Sequence, residues 1–168
     1  MLAGAVSTYV RRYGVAPGKK LLLSTNNDHA YRVALDWLDA SLTVVAIADA
    51  RSNPRGALVE EARAKGIRIL TASAVIETRG SKHVTSARVS AIDVKAHSVT
   101  SPGEWLECDL VATSGGYSPV VHLASHLGGK PIWREDILGF VPGDAPQKRV
   151  CVGGVNGVYS LGDSLADG

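Results

Sequence analysis

The chain has 168 residues, enough for one hydrophobic core of ordinary size. Eighteen Lys and Arg against sixteen Asp and Glu leave a formal charge of +2, and the basic residues are scattered rather than gathered into a phosphate-tracking stripe, which argues against nucleic acid as a partner. No stretch approaches the ~18 apolar residues of a membrane span, no lipid-acceptor pattern occurs, and the first arginines follow the short apolar start where a secretory leader would place them before it; a cytoplasmic chain without a membrane partner is expected.

Residues 1–13 carry apolar positions at helical spacing and stop at Gly14, which predicts a lead-in helix. Residues 19–25 form a short apolar run after the Pro17-Gly18 turn, and Ala30, Ala34, Leu35 and Leu38 recur at helical intervals over 28–40. The alternation repeats with an apolar strand over 43–48, a polar loop to Pro54, a helix over 55–65 stopped by Gly66, and a third strand over 67–70. Continuous apolar strands separated by helices predict an α/β fold, a Rossmann-like parallel sheet with helices on both faces and right-handed crossovers.

From residue 74 to 100 the pattern changes to alternation, predicting an inserted antiparallel β-meander with one wet face. A strand over 106–113 follows, ending in Ser114-Gly-Gly, and then a helix over 119–127. Residues 130–149 carry Pro131, Pro142 and Pro146 and predict mostly loop with a short strand over 137–141; a strand over 150–152 and a helix over 157–166 complete the chain. The whole reads as one domain: lead-in helix 1–13, core 19–71, meander 74–100, and a return strand with C-terminal segment over 104–168. Cys108 and Cys151 lie in apolar runs and are expected as buried, inert thiols; no closely spaced redox pair supports a disulfide reductase.

A diphosphate binds where a strand hands over to a helix, because the first helical N–H groups lack partners and the macrodipole is positive there. The junction at Thr25, Asn26, Asn27 and Asp28 is such a point, and Thr25, Asn27 and Ala30 fall where the dinucleotide fingerprint places its small residues. Only Ala30 fits comfortably; Asn tolerates left-handed dihedrals better than most residues, and an ordinary helix start capped by Asn27 or Asp28 is the competing reading. Asp49 ends the second strand near the ~20-residue spacing at which a carboxylate grips the adenosine ribose, although a capping or loop aspartate is the alternative there. A carboxylate at that point favours NAD over NADP, a preference that Arg51 and Arg55 could reverse.

The segments Met1-Leu-Ala-Gly-Ala-Val-Ser-Thr-Tyr-Val-Arg-Arg-Tyr-Gly-Val, Thr25-Asn-Asn-Asp, Cys108-Asp-Leu-Val-Ala-Thr-Ser-Gly-Gly-Tyr-Ser-Pro and Gly128-Gly-Lys-Pro together resemble the alpha subunit of heterotetrameric sarcosine oxidases. The resemblance implies a two-dinucleotide flavoprotein relative, with a Rossmann core interrupted by a meander, in which Thr113, Ser114, Gly115 and Gly116 line the cofactor cleft. It implies NAD held by this chain and FAD or FMN carried elsewhere in the parent complex, mainly by a partner subunit, so no catalytic residue is expected here. The parent reaction it implies is oxidative demethylation of sarcosine to glycine. It also implies missing flanking domains, with Met1 as an internal methionine of a longer chain, and other oxidase subunits as partners. In flavin-binding relatives a C-terminal strand ends in Gly-Asp; here the run 150–152 ends in Gly153-Gly154, which argues against flavin on this chain, and the alternative register over 158–163 is set aside in favour of the helix.

His122 and His126 share a face on the expected helix but lack the glutamate of a zinc motif, so no metal is expected. Ser160 does not fit a nucleophile elbow. Trp37, Trp105 and Trp133 are expected in the core or at a contact, with Trp133 and its Pro-rich surroundings facing a partner. Two functional alternatives stand beside the NAD reading. One is a non-catalytic Rossmann-like scaffold; the other is the equivalent domain of a proline, opine or cyanide-forming FAD-dependent dehydrogenase.

Overall fold

The computed structural model describes residues 1–168 other than 94, 96 and 127. They form two compact units, Met1–Gly116 and Tyr117–Gly168, a boundary the sequence reading did not draw.

In the first unit the lead-in helix α1 (Ala3–Tyr13) ends where expected, with Gly14 as a left-handed cap. Strand β1 (Lys20–Thr25), helix α2 (His29–Asp39), strand β2 (Thr43–Asp49), helix α3 (Ala57–Ala64) and the short strand β3 (Ile69–Leu70) follow in the order the periodicity predicts. Strand β8 (Leu110–Ser114) returns to lie beside β1, giving a four-stranded sheet of order β3-β2-β1-β8, parallel throughout. Met1 and Leu2 run along the outer edge of β8: the terminal ammonium donates to the Val111 carbonyl at 2.8 Å, and the Thr113 amide donates to the Met1 carbonyl at 3.0 Å.

Both faces of this sheet are covered, but by different layers. Leu21, Leu23, Ile47, Leu110 and Ala112 point to one side and pack with Val6 of α1, Tyr31, Ala34 and Leu35 of α2, and Val59 and Ala62 of α3. Leu22, Ala46 and Ala48 point to the other side and pack with Ala87, Val89 and Cys108. The three helices therefore share one face. The meander covers the other, since its own buried side chains supply the apolar layer a second set of helices would provide.

The meander consists of β4 (Ser73–Gly80), β5 (Val84–Asp93), β6 (Ser98–Val99) and β7 (Glu104–Glu107), with β4, β6 and β7 each antiparallel to β5. The segment expected as one strand over 106–113 is thus two: its start belongs to the meander and its end to the parallel sheet. Asp109 makes the break. Its carboxylate accepts from the amides of Lys19 (2.8 and 2.9 Å) and Lys20 (2.7 Å), which fastens the crossing point to the start of β1. Beside it Cys108 is buried, and burial followed by the Asp109 charge pushes its thiol up from the ordinary value; Cys151 is half-buried. Residues 94 and 96, within the meander expected over 74–100, lie outside the described residues.

In the second unit the expected helix over 119–127 is a single turn, α4 (His122–Ser125), and its expected end at residue 127 lies outside the described residues. Strand β9 (Ile132–Arg134) pairs antiparallel with β10 (Gly139–Val141), so the Pro-rich region holds a hairpin where one short strand was expected. No strand forms over 150–152, where Val150 is exposed; a 3-10 turn, Gly153–Asn156, follows. Helix α5 (Leu161–Asp167) starts later than expected because Ser160 caps it: its hydroxyl accepts from the Asp163 amide at 3.1 Å and donates to the Asp163 carboxylate at 2.6 Å. This local cap takes the place of the alternative strand over 158–163 and leaves the helix of the preferred register, although its strand over 150–152 does not form.

Replacing Asp109 by Ala leaves the Lys19 and Lys20 amides without their acceptor and is expected to lower unfolding stability by about 2 kcal/mol, checked by urea denaturation, with Asp109→Asn losing less.

Candidate functional site

The strand order reverses between β1 and β8, and open α/β sheets bind ligands beyond the carboxyl ends of the strands at such a point. The register puts Thr25 opposite Asp49 on one side and Ser114 on the other, so the expected site residues of three strands end at one level. Thr25 and Asn26 meet Thr113, Ser114 and Gly115 around a cavity of about 210 Å³. The Asn26 amide donates to the Ser114 carbonyl (3.3 Å) and its side chain to the Gly115 carbonyl (3.1 Å). The Asn27 side chain donates to the Ser114 hydroxyl (2.9 Å) and carbonyl (3.2 Å). Gly115 is open: a Cβ there would meet nothing. Gly116 has φ +98, a conformation that side chains disfavour.

The opening of α2 is closed by its own residues. The Thr25 hydroxyl accepts from the Asn27 amide at 3.1 Å, and the Asn27 side-chain oxygen accepts from the Ala30 amide at 3.3 Å, so Asn27 supplies the cap although Asp28 is the residue at the boundary. Ala30 is buried in the core cluster that α2 shares with the sheet. Asp28 is turned toward the end of β2, where it pairs with Arg51 at 2.7 Å.

Asp49 has no exposed surface. One of its oxygens accepts from the Arg51 amide (2.9 Å) and Nε (3.1 Å); the other accepts from Arg51 Nη2 (2.8 Å) and the Tyr31 hydroxyl (2.8 Å). Burial alone would raise this carboxyl, but the hydrogen bonds from Arg51 and Tyr31 outweigh it and hold Asp49 below the usual carboxylate value. Burial, then the Asp49 acceptor, drives the Tyr31 phenol far above its ordinary value, while the Asp49 hydrogen bond raises Arg51. Gly56, at the start of α3, has φ +142, and a Cβ there would come 2.4 Å from Asp28 Oδ2; only glycine lets the chain pass this close to the Asp28–Arg51 pair.

Tyr31 was not singled out in the sequence, nor was the wall of a larger cavity of about 780 Å³ beside Arg51, which brings Asn53, Ala72, Ile92 and Lys95 to Asn26 and Ala50. A signal for Tyr31 existed: a phenol on the apolar stripe of α2 and a carboxylate ending an apolar strand each need a buried partner. The cavity wall carried none, because it depends on how the meander folds back over the sheet edge. Of the tryptophans, Trp37 is buried with its Nε1 donating to the Thr43 carbonyl (3.0 Å), Trp105 is half-exposed beneath the Arg79 guanidinium at 3.7 Å, and Trp133 is 50% exposed beside Phe140. Among the described residues no group of His, Cys, Asp and Glu is arranged to hold a metal, and no helix is long and apolar enough to cross a membrane.

No family model matches the chain. Over all 168 residues it is 35% identical to sarcosine oxidase subunit alpha of Corynebacterium sp. strain P-1 and 34% identical to that of Rhizobium meliloti strain 1021, so the resemblance read from its motifs holds along the entire chain. The chain spans 17% and 16% of the length of these curated relatives. Among solved structures, thioredoxin reductase of T. acidophilum matches 89% of the chain and 49% of its own length with a TM-score of 0.57 at 14% identity. The bacillithiol disulfide reductase of Staphylococcus aureus matches 77% of the chain and 38% of its own length with a TM-score of 0.53 at 12% identity. The chain thus shares the Rossmann-like α/β fold of these two reductases, with the parallel sheet and inserted meander that the sequence pattern predicts, but with its three helices on one face of the sheet where helices on both were expected.

Because Asp49 is ionised and held by three groups in the folded state, it contributes stability above its unfolded pKa of about 4, and this is lost as pH falls through its depressed folded value. Asp49→Asn is expected to lose about 3 kcal/mol at neutral pH and to show a shallower loss of stability below about pH 4, read from denaturant midpoints across pH.

Proposed function

We propose that the chain binds NAD at the carboxyl edge of its parallel sheet and serves as the nucleotide-binding portion of a flavin-dependent amine oxidoreductase of the sarcosine oxidase type. The observation that carries this reading is the meeting of the Thr25–Asn27 turn with Thr113, Ser114 and Gly115 where the strand order reverses. The diphosphate takes the smaller cavity there, near the amides of Asn26 and Asn27, and the adenosine end extends over Ala50 toward Arg51 and the larger cavity. Asp28 acts through its pair with Arg51, and Ala30 by admitting the helix close to the sheet.

In this reading the chain supplies no catalytic group. The parent complex removes the methyl group of sarcosine oxidatively to leave glycine, with the flavin on a partner subunit, and the chain works in the cytoplasm against other oxidase subunits and flanking domains. Support comes from the 35% identity with sarcosine oxidase subunit alpha over the 168 residues. A second reading, a Rossmann-like scaffold that binds no nucleotide, is favoured by one specific feature: Asn27 already caps the helix that a diphosphate would approach.

Calorimetric titration separates the two. NAD is expected to bind the 168-residue chain with a Kd of about 100 µM, with FAD binding more weakly, and Asn27→Gly, which opens the helix mouth and restores a fingerprint glycine, is expected to tighten NAD about fivefold. Heat from neither NAD nor FAD, in either protein, leaves the scaffold.

A further inference from the structure

Carboxylates at the end of the second strand of such sheets ordinarily accept from the adenosine ribose hydroxyls. Asp49 has no capacity for this. A carboxylate offers about four acceptor positions, and those of Asp49 are taken by the Arg51 amide, Nε and Nη2 and by the Tyr31 hydroxyl, with no surface left to a ligand. The group that does face the larger cavity is Arg51, which keeps 33% of its side-chain surface exposed.

The Arg51 guanidinium is held on two sides. Nε and Nη2 meet Asp49, and Nη1 pairs with Asp28 at 2.7 Å, so two carboxylates fix the position of the guanidinium before any ligand arrives. Its exposed part lines the larger cavity, and a guanidinium is a group that pairs with a phosphate. Lys95 lines the same cavity, as does the Asp93 carboxylate, and Arg55 stands nearby with its Nε 3.1 Å from the side-chain amide of Asn53. Cations therefore approach the ribose position from both the sheet edge and the meander.

We infer that Arg51, anchored by Asp49 and Asp28, is the residue that reads the adenosine ribose, and that the site accepts the 2′-phosphate of NADP at least as readily as the 2′-hydroxyl of NAD. This rests on the nucleotide reading above and deepens it: the residue at the strand end sets the position of the reader and does not itself touch the ligand.

The test titrates the 168-residue chain with NAD, NADP, 5′-ADP and 2′,5′-ADP. NADP is expected to bind within about threefold of NAD or tighter, and its affinity is expected to fall more steeply with salt, since its extra phosphate meets fixed cations. Arg51→Gln is expected to weaken NADP and 2′,5′-ADP about tenfold while changing NAD and 5′-ADP less than about threefold. If NAD binds and NADP is rejected about 100-fold, or if the two share one salt dependence, the Arg51 inference fails while the nucleotide reading stands. If neither dinucleotide binds, the nucleotide reading fails and takes this one with it. The salt comparison uses the unaltered chain, so the outcome does not depend on the stability of a variant.

Discussion

A carboxylate sealed from solvent at the end of a central strand has to be neutralised by its surroundings, and that requirement organises the functional edge of this molecule. Asp49 draws a phenol from α2 and a guanidinium from the loop that follows β2, and the same guanidinium reaches back to Asp28 at the start of α2. The strand end, the helix start and the loop become one bonded unit. Gly56 completes it, because the start of α3 passes so close to Asp28 that no side chain fits. The geometry of the edge is thus fixed by charge pairing together with the last backbone hydrogen bonds, from the Ala50 amide to the Thr25 carbonyl and from the Ala72 amide to the Arg51 carbonyl, both 2.9 Å.

Around that edge the sheet is a wedge between two unlike layers. The helices α1, α2 and α3 bury its larger side chains, whereas the face toward the meander is built from Leu22, Ala46 and Ala48 against Ala87, Val89 and Cys108. Small residues on that face suit a sheet packed on a sheet, where backbones approach more evenly than against a helix. The consequence for function is positional. The β5 strand carries Ile92 past the end of β2, and Lys95 follows it, so the meander is what turns an open sheet edge into a cavity of about 780 Å³.

Periodicity made the parallel core legible because its strands are buried on both faces and its helices carry a clear apolar stripe; α1, β1, α2, β2 and α3 fall within a few residues of the expected bounds. The meander was legible as alternation. What escaped notice depended on side chains acting across long sequence separations. Asp109 divides an apolar run because it finds amides 89 and 90 residues away, and nothing within the run announces that. The C-terminal segment misled for the opposite reason: residues 150–152 have strand-like composition, but a strand needs a neighbour, and none among the described residues pairs with them, while further on Ser160 and Asp163 start a helix where the run 158–163 also reads as a strand. At the site, Asp49 was found by its position at a strand end, but composition does not say whether a carboxylate faces a ligand or its own protein. That answer lay in Tyr31 and Arg51.

The replacement of fingerprint glycines by Thr25 and Asn27 acquires a physical meaning once their hydrogen bonds are known. A glycine-rich turn leaves helix amides bare and waiting for a phosphate. Here the Thr25 hydroxyl and the Asn27 side chain satisfy the amides of Asn27 and Ala30, while the Asn27 NH₂ ties the turn to Ser114 on β8. An anion entering this turn exchanges one set of hydrogen bonds for another and gains only the difference, so the stabilisation a bare helix start would offer is reduced. Affinity then has to come from elsewhere along the ligand. For the nucleotide proposed here, Arg51, held by Asp49 and Asp28, and Lys95 are the cations that the larger cavity offers for it.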